Sequence, residues 1–240
     1  MDQLFTTEGL ISLITLTFLE IALGIDNVVF ISIIAGKLPL DQQRKARISG
    51  IGLALIARVL LLLGVSWLIR LQKPIFTLDD FSLSYRDIIL ILGGLFLIGK
   101  SVTEIHDKLE RKHVSDKKKS RVYSLKSAVI QIILIDIIFS IDSILTAIGL
   151  VENVLIIIIA VILSLCVMLA FVGKISLFIE KHPAMKILAI SFLIMIGTLL
   201  VVEGLHIHVP RGYIYFSMAF ALGIELLNMN IRKRSLDPRE

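Results

Sequence analysis

Two short stretches hold the residues best suited to chemistry. One reads Glu20-Ile-Ala-Leu-Gly-Ile-Asp26-Asn27; the other, 116 residues further on, reads Asp136-Ile-Ile-Phe-Ser-Ile-Asp142-Ser143. Each sets an acid, five residues, an aspartate and then a small polar side chain inside a long apolar run. A carboxylate at the centre of a membrane helix costs roughly 2.5–3.5 kcal/mol to insert, so four unpaired ones oppose insertion by about 10 kcal/mol. A bound cation compensates most simply. Glu20, Asp26, Asn27, Asp136, Asp142 and Ser143 are therefore the candidate metal ligands. All-oxygen donors suit hard divalent ions such as Mn²⁺, Mg²⁺ or Ca²⁺ and argue against copper or thiolate-bound zinc.

The spacing raises a geometric problem. Acids six residues apart on an unbroken helix lie about 120° apart around its axis, too far to share one ion easily. A local unwinding at Leu23-Gly24-Ile25 would bring Glu20 and Asp26 together and free carbonyls for the ion, as in broken transporter helices. Ser140 stands at the equivalent place in the second copy. Four close carboxylates cannot all ionise without a cation, so metal entry should displace protons, which makes metal–proton exchange a natural mechanism. The competing reading is that these acids pair with one another or with Arg58, an arginine in the middle of the next apolar run.

These motifs sit on elements that must cross a membrane. The chain of 240 residues is 56% hydrophobic, and its mean hydropathy is +0.90. Seven apolar runs are long enough to span, at about 9–36, 48–69, 88–102, 125–150, 154–172, 185–202 and 213–230. The expected class is an all-α polytopic membrane protein forming one transporter domain. The first run begins without a basic n-region and continues past Glu20, so it reads as a span rather than a cleaved signal. The lone Cys166 excludes disulfides and thiolate metal sites within one chain.

The net charge of +5 does not point to nucleic acid, because the basic residues lie in short connections without an aromatic-basic surface. They set topology instead. Connections after the first, third, fifth and seventh spans are basic, and the alternate ones are neutral or acidic. Basic residues on the cytoplasmic side give N-terminus out and C-terminus in. The long basic connection at 104–126 reads as a solvated, topology-setting loop.

The acidic motifs belong to a wider internal repeat. Gly64 precedes Pro74 by ten residues, and Gly173 precedes Pro183 by ten. The third span ends Glu104-Ile-His106, and the sixth ends Glu203-Gly-Leu-His206. Two three-helix repeats, about 9–109 and 124–208, are followed by a seventh helix at about 211–230. An odd number of spans per repeat inverts one half against the other, a common transporter plan with sites at the midplane. The acid–histidine pairs at the two mouths, with Arg58, form a secondary or gating set. Glu225, three residues before Asn228 in the last span, reads mainly as helix-packing glue.

With these residues in view, the chain resembles the TerC family, within the LysE-like transporter superfamily. Phe18 to Asn27, Gly93 to His106, Gln131 to Ser143 and His208 to Tyr215 carry the likeness. Lys100, inside the second of these stretches, joins the gating set. The resemblance implies Mn²⁺ efflux across the bacterial cytoplasmic (inner) membrane, in a short form without appended soluble domains. The family's name comes from tellurium resistance. Mn²⁺ is then the transported ion, with no prosthetic group. The implied surroundings are lipid, with a homodimer or protein-export partners as further expectations. Rival readings are a Ca²⁺ or other divalent cation exchanger, an intramembrane aspartyl protease with Asp26 and Asp142 as its dyad, and a membrane scaffold that binds partners through residues 117–119.

Overall fold

The computed structural model describes residues 6–78, 81–110, 124–151 and 153–235, and their side chains except those of residues 25, 26, 77, 78, 81, 107–110, 211, 230 and 232–235. Among the described residues, seven helices are long and apolar enough to cross a bilayer. In chain order these are α1 (Thr7–Ala35), α2 (Leu40–Leu63), α4 (Tyr85–Glu110), α5 (Leu125–Leu150), α6 (Val154–Lys181), α7 (Pro183–Gly204) and α8 (Arg211–Ser235). The protein is an all-α polytopic membrane fold. Between α2 and α4 lie a short helix α3 (Val65–Leu71) and an antiparallel hairpin, β1 (Pro74–Leu78) with β2 (Phe81–Ser84).

The helix starts follow local chemistry. Thr6 accepts a hydrogen bond from the Gly9 amide at 3.1 Å, and Ser124 accepts one from the Ser127 amide at 3.2 Å. Asn153 accepts from the Leu155 amide at 3.0 Å, and Pro183 opens α7, where its missing N–H costs nothing. Ser84 and Asp87 form a reciprocal capping box at the head of α4. The Asp87 carboxylate accepts from the Ser84 amide at 2.8 Å, while the Asp87 amide donates to Ser84 Oγ at 3.2 Å. At the tail of α7, His206 takes the left-handed conformation (φ 64°), and Ile207 donates back to the Val202 carbonyl. Such a Schellman ending usually falls to glycine.

The dominant pairings are α4 on α7, α1 on α6 and α2 on α5. Exchanging α1 with α5, α2 with α6 and α4 with α7 carries this set onto itself. Small residues set the closest approaches. A Cβ on Gly197 would lie 2.8 Å from the Gly94 carbonyl oxygen, so α4 and α7 touch backbone to backbone. Ser32 and Ser176 hydrogen-bond at 2.8 Å between α1 and α6. Leu16, Phe30, Ile34, Ile132, Ile135 and Ile144 fill the buried core, whereas α8 contributes little to it.

Three expectations need correction. Neither acidic motif unwinds: α1 is continuous through Leu23-Gly24-Ile25, and α5 is continuous through Ser140. Gly24 serves close packing, since a Cβ there would fall 2.5 Å from Met168 Sδ on α6. Ser140 Oγ donates to the Asp136 carbonyl at 2.5 Å, a back-bond made within an intact turn. The two Gly–Pro pairs also differ, because Gly64 ends α2 whereas Gly173 lies inside α6. Finally, the third span is longer than its apolar run: α4 starts at Tyr85 and keeps its polar tail through Glu110.

Candidate functional site

The core of the bundle holds a buried ionic cluster. Arg58 on α2 is 3% exposed, Glu20 on α1 is 1% and Asp136 on α5 is 4%. The guanidinium forks onto Asp136, with Nε donating to Oδ2 at 2.9 Å and Nη2 to Oδ1 at 2.7 Å. Its Nη1 donates to Glu20 Oε2 at 3.0 Å. Asn27 donates from Nδ2 to Asp136 Oδ1 at 3.2 Å, and Ser140 Oγ lies 3.3 Å from Asp136 Oδ2. Two acids from two helices thus meet one fixed cation, which offsets much of the cost of burying them.

The cluster does not use all of its acceptors. Glu20 Oε1 and Asn27 Oδ1 are buried with no hydrogen-bond partner. Both are hard oxygen donors, and at depth such atoms require a donor, a proton or a cation. Beside Asn27 runs a small cavity of about 40 Å³, room for about one water or ion. Asn27, Arg58, Asp142 and Ser143 contribute to its wall, along with Tyr215 from α8.

The predicted ligands therefore divide into two linked groups. Glu20, Asn27 and Asp136 surround Arg58; Asp142 and Ser143, about two turns further along α5, line the cavity that Asn27 and Arg58 also border. The Asp26 side chain lies outside the described residues. Among the described residues, no three His, Cys, Asp or Glu side chains are grouped closely enough to hold a metal by themselves.

Asp142 turns toward the hairpin end of the bundle, where Arg86 of α4 pairs with it. Arg86 also lies 3.4 Å from Glu203 Oε1 and 3.8 Å from Asp87 Oδ1. His206 Nε2 lies 2.9 Å from Asp87 Oδ2. A second, polar cavity of about 320 Å³ opens here, bordered by Arg86, Asp87, Glu203, His206 and His208. Glu203 and His206 thus do sit together at one mouth. At the opposite end Glu104 pairs with Lys37, linking the tails of α4 and α1; Lys100 is half-buried on α4 and His106 is exposed. Glu225 is half-buried on α8 and Asn228 is exposed, while α8 reaches the central cavity through Ile214 and Tyr215.

Sequence reasoning missed Arg86 and Asp87. Their signal was the Ser84-x-x-Asp87 capping pattern just before an apolar run, which marks a helix head and so puts Arg86 in its first turn.

Residues 5–237 match the family described as "Integral membrane protein TerC family". The chain belongs to the TerC family. It is 46% identical over 221 residues to the UPF0053 inner membrane protein YgdQ of Escherichia coli (strain K12), covering 92% of each chain. It is 42% identical over 226 residues to a UPF0053 protein of Haemophilus influenzae, covering 94% of this chain and 95% of that one. The UPF0053 inner membrane protein YoaE of E. coli is 45% identical over 222 residues, which are 43% of its own length. No solved structure matches. With seven apolar helices and relatives named as inner membrane proteins, this TerC protein is a multi-pass protein of the inner membrane.

Proposed function

We propose that this TerC-family protein exports divalent metal cations, Mn²⁺ foremost, through the Arg58 cluster at mid-bundle, in exchange for protons. One observation carries the reading. Glu20 and Asp136, from matched positions of the two acidic motifs, converge on one buried arginine and leave the Glu20 Oε1 and Asn27 Oδ1 acceptors without a donor. Arg58 acts as a tethered stand-in for the cargo. It keeps the acids tolerable in the core when no ion is bound, and an arriving cation competes with it for the same oxygens. Protons compete for those oxygens too, which couples metal movement to proton movement.

The helix pairings support an inverted repeat, since exchange of the two halves preserves them. The basic connections support N-terminus out and C-terminus in, with the hairpin end outside. In this orientation Lys37–Glu104 lies at the cytoplasmic mouth, and the cavity bordered by Glu203 and His206 lies at the outer mouth. Hard-oxygen chemistry also admits Ca²⁺, so competition among ions sets the preference.

The test is Mn²⁺ uptake into liposomes holding the purified protein, with a proton gradient of either sign. The expected result is flux in the parent protein and at least about a tenfold loss in Glu20→Gln and Asp136→Asn variants that still elute as the parent does. Folded parent protein giving no flux above protein-free liposomes overturns the reading.

A further inference from the structure

Arg86 borders one cavity and pairs with an acid, Asp142, that lines another. The first is the mouth at the hairpin end, about 320 Å³ in volume; the second is the central cavity of about 40 Å³ that Asp142 shares with Arg58. One nitrogen of Arg86, Nη2, is paired with Asp142 and also lies 3.4 Å from Glu203 Oε1. The two acids differ in depth. The Asp142 side chain is 4% exposed, whereas Arg86 and Glu203 keep 20% and 18%. A buried acid and a partly exposed acid thus share a single guanidinium nitrogen.

We infer that Arg86 is the gate between the hairpin-end mouth and the central site, closed when bound to Asp142 and open when swung onto Glu203. Rotation about the arginine stem is enough for the exchange, because both acids already lie beside the same nitrogen. The exchange leaves Arg86 paired throughout but exposes Asp142, a buried carboxylate that is costly without a counter-ion. Opening is therefore favoured when another cation takes the place of Arg86 at Asp142. An anion or a neutral solute cannot do so, and the gate selects by charge. Asp87 fixes the hinge side: it is held by Ser84 Oγ at 2.6 Å and His206 Nε2 at 2.9 Å, so it does not follow the swinging guanidinium. The gate takes its meaning from the cation-carrier reading, although its test does not depend on transport.

The test reads access to the central cavity directly. In a Cys166→Ser background, Ser143→Cys places one thiol on the wall of that cavity. Purified protein in detergent, in which both mouths are reachable, is labelled with methanethiosulfonate reagents bearing either a trimethylammonium or a sulfonate group. Adding Arg86→Ala should speed labelling about tenfold with both reagents. Acceleration with the cationic reagent only would show loss of a local charge rather than opening, and would overturn the gate. Glu203→Gln removes the open-state partner and should slow both reactions. That opposite sign keeps the proposal testable if Arg86→Ala does not fold. Rates within about twofold of the parent in either folded variant overturn the inference. Parent protein without Mn²⁺ flux but with these labelling rates would sink the carrier and keep the gate.

Discussion

Arg58 and Asp136 are joined by two parallel hydrogen bonds of 2.9 and 2.7 Å across helices whose partners lie 78 residues apart in sequence. A fork of this kind fixes both distance and orientation, which a single point charge does not. It makes α2 and α5 a rigid pair at the depth where the two acidic motifs meet.

Breaking that fork should reveal the cation site. Arg58→Met leaves Glu20 and Asp136 buried without their counter-ion, a loss of about 3–5 kcal/mol for pairs of this kind. If the acids bind a divalent ion, Mn²⁺ can replace the lost charge. Saturation at 100 times Kd returns about 2.7 kcal/mol. Melting in detergent should show Arg58→Met well below the parent in EDTA and recovering much of the gap in Mn²⁺. A variant whose melting ignores Mn²⁺ would argue against metal binding at Glu20 and Asp136.

The fold was readable where hydrophobic length decided it. The span expected at 125–150 is α5 to the residue, because Ser124 caps one end and the apolar run stops at Val151. The hairpin was not readable. Its strands are four and five residues long, one starts with Pro74, and the pairing is bulged between Pro74 and Phe76. The Arg58 partnership was visible only as one alternative, because sequence gives depth along a helix but not which neighbour faces it. Arg86 hid for a different reason. It lies at a helix head, where a basic residue reads as an interfacial anchor until Asp142 is found opposite.

The α4–α7 crossing is closest at three glycines, Gly94, Gly197 and Gly204. A Cβ on Gly197 would meet the Gly94 carbonyl oxygen at 2.8 Å and Leu97 Cβ at 3.1 Å, and backbone cannot step aside as a side chain can. Gly197→Ala should cost about 2–3 kcal/mol, the upper part of the overpacking range. Gly99 on the same helix as Gly94 has nothing within 4 Å of its Cβ position. Gly99→Ala should be neutral or stabilising by up to about 1 kcal/mol through helix propensity. Paired thermal melts check both, and similar losses in the two variants would refute close backbone packing.

The capping box at Ser84 predicts a local effect. Ser84→Ala removes the acceptor for the Asp87 amide and one donor to the Asp87 carboxylate. The loss should be about 0.5–2 kcal/mol. It should appear as faster hydrogen exchange confined to the first turn of α4, read by mass spectrometry of peptides from that segment. Acceleration spread evenly over all helices would mean that Ser84 supports the whole fold instead.

Gly24 separates two accounts of the first acidic motif. If its role were to let α1 unwind around an ion, alanine there would impair transport whatever stood opposite. In the structure α1 is unbroken at Gly24, and a Cβ would meet Met168 Sδ at 2.5 Å and Cε at 2.9 Å. Methionine is flexible, so Gly24→Ala should cost only about 1–2 kcal/mol, the lower part of the overpacking range. Met168→Ala alone should also cost stability by opening a cavity. Together the two changes should be less damaging than their sum by at least about 1 kcal/mol, since the new methyl fills space vacated by the thioether. The double variant should then keep Mn²⁺ flux near the parent level. Strict additivity in melting, or flux lost in the double variant as in Gly24→Ala alone, would return Gly24 to the role of a hinge.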